Sequence, residues 1–117
     1  MASTKDYLDF CLEQLNPLYI TYKQMMGEYL LYYNDYLFGG IYDDRLLVKI
    51  TVTNNDYGME ESIPYPGAKP MFLVKDMDNK DLLKEIVINT VEGLKWELDC
   101  IQLFFLYNWD IFKNMIY

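Results

Sequence analysis

The 117-residue chain predicts an α+β fold: a two-layer domain with an antiparallel sheet of about five strands and helices against it. Three observations carry the prediction. Apolar residues near each end recur at helical spacing, the segment from Ile20 to Val52 alternates at the shorter period of strands, and pairs of Asn and Asp punctuate that segment. Twelve tyrosines in a chain that is 52% hydrophobic suit half-buried pleated positions.

Ser3 or Thr4 can cap a first helix, in which Leu8, Cys11, Leu12 and Leu15 follow at i, i+3, i+4 and i+7 until Asn16-Pro17 stops it. Strands are expected over 20–24, 28–33, 36–42 and 45–52. The gaps are Met25-Met26-Gly27, Asn34-Asp35 and Asp43-Asp44. Asn and Asp tolerate positive φ, as tight hairpin turns require, so a four-stranded meander results. Along the fourth strand Leu46, Val48 and Ile50 share one face, while Leu47 interrupts the polar one. Residues 53–70 read as loop, 71–75 as a short fifth strand. Asp78 or Asn79 then caps a helix over about 80–92, with one stripe formed by Leu82, Leu83, Ile86, Val87 and Val91.

Composition excludes more chemistry than it suggests. Histidine is absent, which removes the usual neutral-pH base, the common nitrogen metal ligand and every Ser-His or Cys-His dyad. The charge of -8 is dispersed, and the chain holds one arginine, so direct binding of nucleic acid is not expected. Cys11 and Cys100 lie far apart in apolar, helix-like contexts and read as reduced packing residues. The start, Met-Ala-Ser-Thr-Lys-Asp, lacks the apolar core of a signal peptide, so a cytoplasmic location is expected.

Four groupings invite a chemical reading. Asp43-Asp44-Arg45 places two carboxylates side by side, but neighbours on an extended chain point to opposite faces, so turn residues are expected. Gly39-Gly40 lies inside a strand, where a bulge or a close backbone approach fits better than a phosphate loop. The run Asp76 to Asp81 starts like a calcium loop yet has Asp81 at the sixth position and Val87 at the twelfth; the acids better suit the start of the following helix. Tyr29, Tyr32, Tyr33, Tyr36 and Tyr42 could stack bases only beside a positive groove, and packing is the expected role. No catalytic residue, metal or cofactor is predicted.

The segment 93–117 differs in character. At helical spacing Leu94, Leu98, Ile101, Phe105, Trp109, Phe112 and Ile116 form one stripe. Trp96, Leu103, Phe104, Tyr107, Ile111 and Met115 populate a second side, leaving a narrow polar strip. A helix apolar nearly all round must be covered on more than one side, either by its own sheet or by a partner. Its polar interruptions leave no run long enough to span a bilayer. The candidate partner-binding residues are Trp96, Leu98, Ile101, Phe104, Phe105, Trp109 and Phe112.

Several segments together resemble the TfoX N-terminal domain family, relatives of the TfoX (Sxy) competence regulator. They are Leu12-Glu13-Gln14-Leu15, the run Tyr22 to Tyr32 (YKQMMGEYLLY), the run Leu37 to Lys49 (LFGGIYDDRLLVK), and Pro66-Gly67-Ala68-Lys69-Pro70-Met71. The resemblance covers roughly residues 3–92, so a TfoX N-terminal-like domain is expected over 1–92 and an additional aromatic helix over 93–117. It implies a two-layer domain with a regulatory or interaction role and no established catalytic motif. The expected function is therefore non-enzymatic binding of a protein, either a second copy, as a homodimer, or a regulatory partner. The acidic charge leaves an alternative: a nucleic-acid-mimic inhibitor, of anti-defence type, acting on a nucleic-acid-binding protein.

Overall fold

The computed structural model describes the backbone of residues 3–107 and the side chains of residues 3–97. Helix α1 (Lys5–Gln14) precedes strands β1 (Ile20–Met25), β2 (Glu28–Tyr33), β3 (Tyr36–Ile41) and β4 (Leu46–Val48). Strands β5 (Glu60–Ser62) and β6 (Met71–Val74) and helix α2 (Lys80–Tyr107) complete the order. The six strands form one antiparallel sheet in the order β1-β2-β3-β4-β6-β5. The fold is α+β, with the expected meander as its first four strands.

Local chemistry explains the meander. Asn34-Asp35 (φ 51° and 67°) and Asp43-Asp44 (φ 53° and 53°) supply the two left-handed residues of a two-residue hairpin loop, and Met26-Gly27 (φ 54° and 83°) closes the first hairpin. The loop is therefore one residue shorter than the three-residue gap expected there, because Met25 already pairs with Glu28. Thr4 caps α1, its hydroxyl accepting from the Tyr7 N–H at 3.2 Å. Asn79 rather than Asp78 caps α2, its Oδ1 accepting from the Leu82 N–H at 3.1 Å.

Both helices cover one face of the sheet. Leu8, Cys11 and Leu15 from α1 and Leu83, Ile86, Val87 and Val91 from α2 share one cluster with Tyr29, Leu31, Phe38, Ile41, Leu46, Val48, Phe72 and Val74. Cross-strand register accounts for that membership: Tyr29 opposes Ile41, Ile41 opposes Leu46, and Leu46 opposes Val74, so all four point the same way. Phe38 joins them through a bulge. Leu31 pairs with Gly39 while Tyr32 pairs with Leu37, leaving Phe38 as the extra residue whose side chain returns to the core face.

The structure alters three expectations. Residues 53–70 are not wholly loop: they hold a short 3-10 helix, Asn55–Tyr57, and β5, which brings the sheet to six strands rather than about five. The sequence of β5, Glu-Glu-Ser, has no strand signal, and the strand exists because β6 offers it a free edge. Strand β4 ends at Val48 rather than running to Val52, because Asn54 turns the chain. Its Oδ1 accepts from the Thr51 N–H at 2.9 Å, and its Nδ2 donates to the Lys49 carbonyl at 2.7 Å and to Thr90 Oγ1 on α2 at 2.8 Å. Finally, the helix expected to stop near Glu92 and the aromatic helix expected after it are continuous as far as Tyr107.

Asn54 is 0% exposed. Replacing it with Ala removes three hydrogen bonds and strands the Lys49 carbonyl and Thr51 amide, so Asn54→Ala is expected to cost on the order of 2–4 kcal/mol in urea denaturation. A second expectation concerns pH. Burial pushes the Cys11 thiol from its ordinary 9.0 up to about 12, and Tyr7, one helical turn away, from 10.0 to about 12. Folded-state values raised above the unfolded ones mean that stability present below pH 9 is lost as pH climbs towards 12. The alkaline fall in the urea midpoint should be shallower in Cys11→Ala and in Tyr7→Phe than in the parent chain.

Candidate interaction site

The two sheet faces place the candidate residues differently. On the helical face, α2 lies across β3, and its side chains are described as far as Glu97. Val91 and Gly93 are buried, Leu94 is half-buried against the core, and Trp96 is 56% exposed. A helix of 28 residues extends roughly 42 Å at 1.5 Å per residue, about twice the length of a six-residue strand such as β3. Most of the excess lies beyond Leu94.

Of the sequence-predicted contact residues, Trp96 is on the surface of α2. Leu98, Ile101, Phe104 and Phe105 belong to the helical backbone of α2, whereas Trp109 and Phe112 lie outside the described residues. Next to Trp96, Lys95 Nζ lies 5.7 Å from the ring centroid of Tyr36 and 3.4 Å from Glu92 Oε1.

Gly93 is where α2 packs most closely on the chain after β4. A Cβ there would stand 2.6 Å from Thr51 Oγ1 and collide with Thr53 Oγ1. The helix thus presses its backbone onto the turn that Asn54 holds, and Thr53 Oγ1 donates to the Asn89 carbonyl at 2.5 Å beside it. Sequence reading had no signal for this contact, since nothing local to Gly93 says what faces it.

The opposite face has its own structure. Lys23, Leu30, Gly40, Leu47, Leu73 and Glu60 form one row across all six strands. Leu47, the residue that interrupts the polar pattern of its strand, is fully buried but outside the core cluster, so it is covered from this side. The ring of Tyr42 lies over Gly40, where a Cβ would come within 2.9 Å of it, and Tyr65 stands 6.3 Å from Tyr42. Both expectations for Gly39-Gly40, a bulge and a close approach, hold.

Arg45 holds the covering loop. Its Nη1 donates to Ser62 Oγ at 2.6 Å, and its Nη2 to the carbonyls of Ile63 at 3.3 Å and Pro64 at 3.5 Å. Asp43 and Asp44 serve the turn as expected, and Asp44 also anchors α1: its Oδ1 accepts from the Thr4 N–H at 2.8 Å, next to the positive end of the helix. The Asp43 amide donates to Glu28 Oε2 at 2.9 Å, as does Ser3 Oγ at 2.7 Å. Between loop and sheet remains a groove of about 590 Å³, lined by Leu37, Tyr42, Ile50, Tyr65, Met71 and the two lysines Lys49 and Lys69.

The five tyrosines form no single platform. Tyr29, Tyr33 and Tyr36 pack on the helical side, while Tyr32 pairs with Leu37 and Tyr42 lies at the groove. Burial raises the Tyr42 hydroxyl above its ordinary range, helped by Tyr65 and Glu28. Among the described residues no three His, Cys, Asp or Glu side chains gather as a metal site, and no helix is long and apolar enough to cross a membrane.

Fold and site together define a two-layer α+β domain with helices on one sheet face and a loop-covered groove on the other. Over 80 residues the chain is 34% identical to the "uncharacterized 12.7 kDa protein in trpE 5′ region" of Spirochaeta aurantia, an alignment covering 66% of this chain and 70% of that protein. The chain belongs to the same family as that spirochaete protein. No protein-family model and no solved structure matches it.

Gly93 offers a test of this packing. In an ordinary helix interior Gly→Ala stabilises by up to about 1 kcal/mol. Here the collision with Thr51 and Thr53 should reverse the sign, and thermal melts of Gly93→Ala should show a lower midpoint than the parent.

Proposed function

We propose that the protein is a non-enzymatic regulatory domain of the TfoX N-terminal type, which acts by binding protein through the distal part of α2, and that a second copy is the partner. The observation that supports this reading is Trp96, exposed on α2 at the head of a segment whose sequence is apolar nearly all round. Aromatic side chains of this kind dominate association energies when they are desolvated. Two such helices, each lacking a sheet face on one side, can cover one another.

The chemistry of the remaining polar residues is consistent with a binding role. Asp43, Asp44 and Arg45, the grouping most like an active site in sequence, are engaged in the turn, the α1 N-terminus and the covering loop. The inhibitor alternative rests on the net charge of -8 alone.

Sedimentation equilibrium is the direct test. The parent chain should show a dimer whose population falls on dilution, and the double variant Trp96→Glu, Phe105→Glu should sediment as a folded monomer with unchanged circular dichroism. A parent chain that is monomeric at all concentrations, or a variant that dimerises as well as the parent, would overturn self-association through this helix.

A further inference from the structure

We propose that the groove on the helix-free sheet face binds a small aromatic carboxylate. The first reason is local charge. The chain carries 18 acids against 10 bases, yet among the described residues no acid lines this groove, and Lys49 and Lys69 both do. The neighbouring hollows are different: Glu60 and Asp76 line one, and Glu28 and Asp43 the other. A positive site in an acidic protein attracts anions selectively, since the surrounding field repels them from the rest of the surface.

The second reason is the state of the two lysines. Lys5, Lys75, Lys84 and Lys95 each pair with a carboxylate, whereas Lys49 and Lys69, like Lys23 and Lys80 elsewhere on the surface, have no carboxylate within ion-pair distance among the described residues. The third is shape. Leu37, Ile50 and Met71 give the groove apolar surface and Tyr42 and Tyr65 give it aromatic surface, within about 590 Å³, a volume typical of small-molecule sites. An apolar lining with two lysines among its residues suits a ligand with a flat hydrophobic body and one negative end: the rings stack on the tyrosines, and the carboxylate meets an ammonium group.

The groove is built independently of the distal α2 segment. Its covering loop hangs on Arg45, and the residues that shape it come from β3, the end of β4 and the 63–71 segment. Ligand binding therefore stands or falls separately from self-association.

The test uses the full chain with 2-naphthoate and its neutral isostere 2-naphthamide, followed by calorimetry and by amide chemical shifts. 2-Naphthoate should bind roughly tenfold or more tightly than the amide, as expected for a charge-assisted contact, with salt weakening only the acid. Shifts should centre on Tyr42, Lys49, Tyr65 and Lys69. The double variant Lys49→Gln, Lys69→Gln should bind the acid no better than the amide, and Tyr65→Ala, which alters a side chain already 59% exposed, should weaken both. Equal binding of acid and amide, shifts centred elsewhere, or affinity unchanged in the lysine variant would each overturn the proposal.

Discussion

The buried side chain of Asn54 is the constraint on which the arrangement of helix and sheet depends. Where β4 ends, the chain must turn beneath α2, and the turn leaves an amide and a carbonyl without ladder partners in a dry environment. One side-chain amide satisfies the Thr51 N–H and the Lys49 carbonyl and reaches Thr90, whose hydroxyl donates in turn to the Ile86 carbonyl at 2.7 Å. Buried polar groups are costly unless every member is paired, so this set admits very few relative positions of turn and helix. Gly93 lies one turn further along, and its missing side chain allows the helix backbone onto the same turn. Together they fix how α2 seats on the turn after β4, between Ile86 and Gly93.

The hairpin of Asp43 and Asp44 plays the matching role at the other end of the sheet. Its two left-handed residues tie the N-terminal cap of α1 to β2 and β3, and the adjacent Arg45 ties the 62–64 segment to the opposite face. A guanidinium with several fixed donors is suited to gathering carbonyls from an irregular loop, which has no strand of its own to pair with. The groove beneath that loop is thus a by-product of the same hairpin that anchors the first helix. Charges that in sequence resemble a reaction centre are consumed in holding three segments together.

Two surfaces then remain for function, and they differ in kind. The distal part of α2 presents an apolar sequence and suits a broad contact with another chain. The helix-free face presents a small concave site with local positive charge and suits a compact ligand. Separation on opposite sides of one sheet lets a bound molecule and a partner chain occupy the protein at the same time. The link to the Spirochaeta aurantia relative establishes a family without assigning it a role, so these surfaces carry the functional argument themselves.

Much of the fold is legible along the chain because its signals are local. Asn-Asp and Asp-Asp state the hairpins through their tolerance of positive φ, the spacing of Leu8, Cys11 and Leu15 states the buried side of α1, and the pairs Ser3-Thr4 and Asp78-Asn79 state the helix starts to within one residue. What the sequence could not state depends on partners distant in the chain. Strand β5 exists only because β6 leaves an edge for Glu60–Ser62 to pair with. Gly93 lies inside α2 where a helix end was expected, and its missing side chain leaves the space that Thr51 and Thr53 occupy. Leu47, a break in the polar pattern, becomes intelligible only when Tyr42 and the Arg45-held loop are seen to cover its face. The sequence alone determined the α+β class, the meander and the aromatic character of the segment after Gly93. Tertiary structure decided which face is covered and how α2 seats on the turn after β4, because those follow from packing between segments that no local pattern brings together.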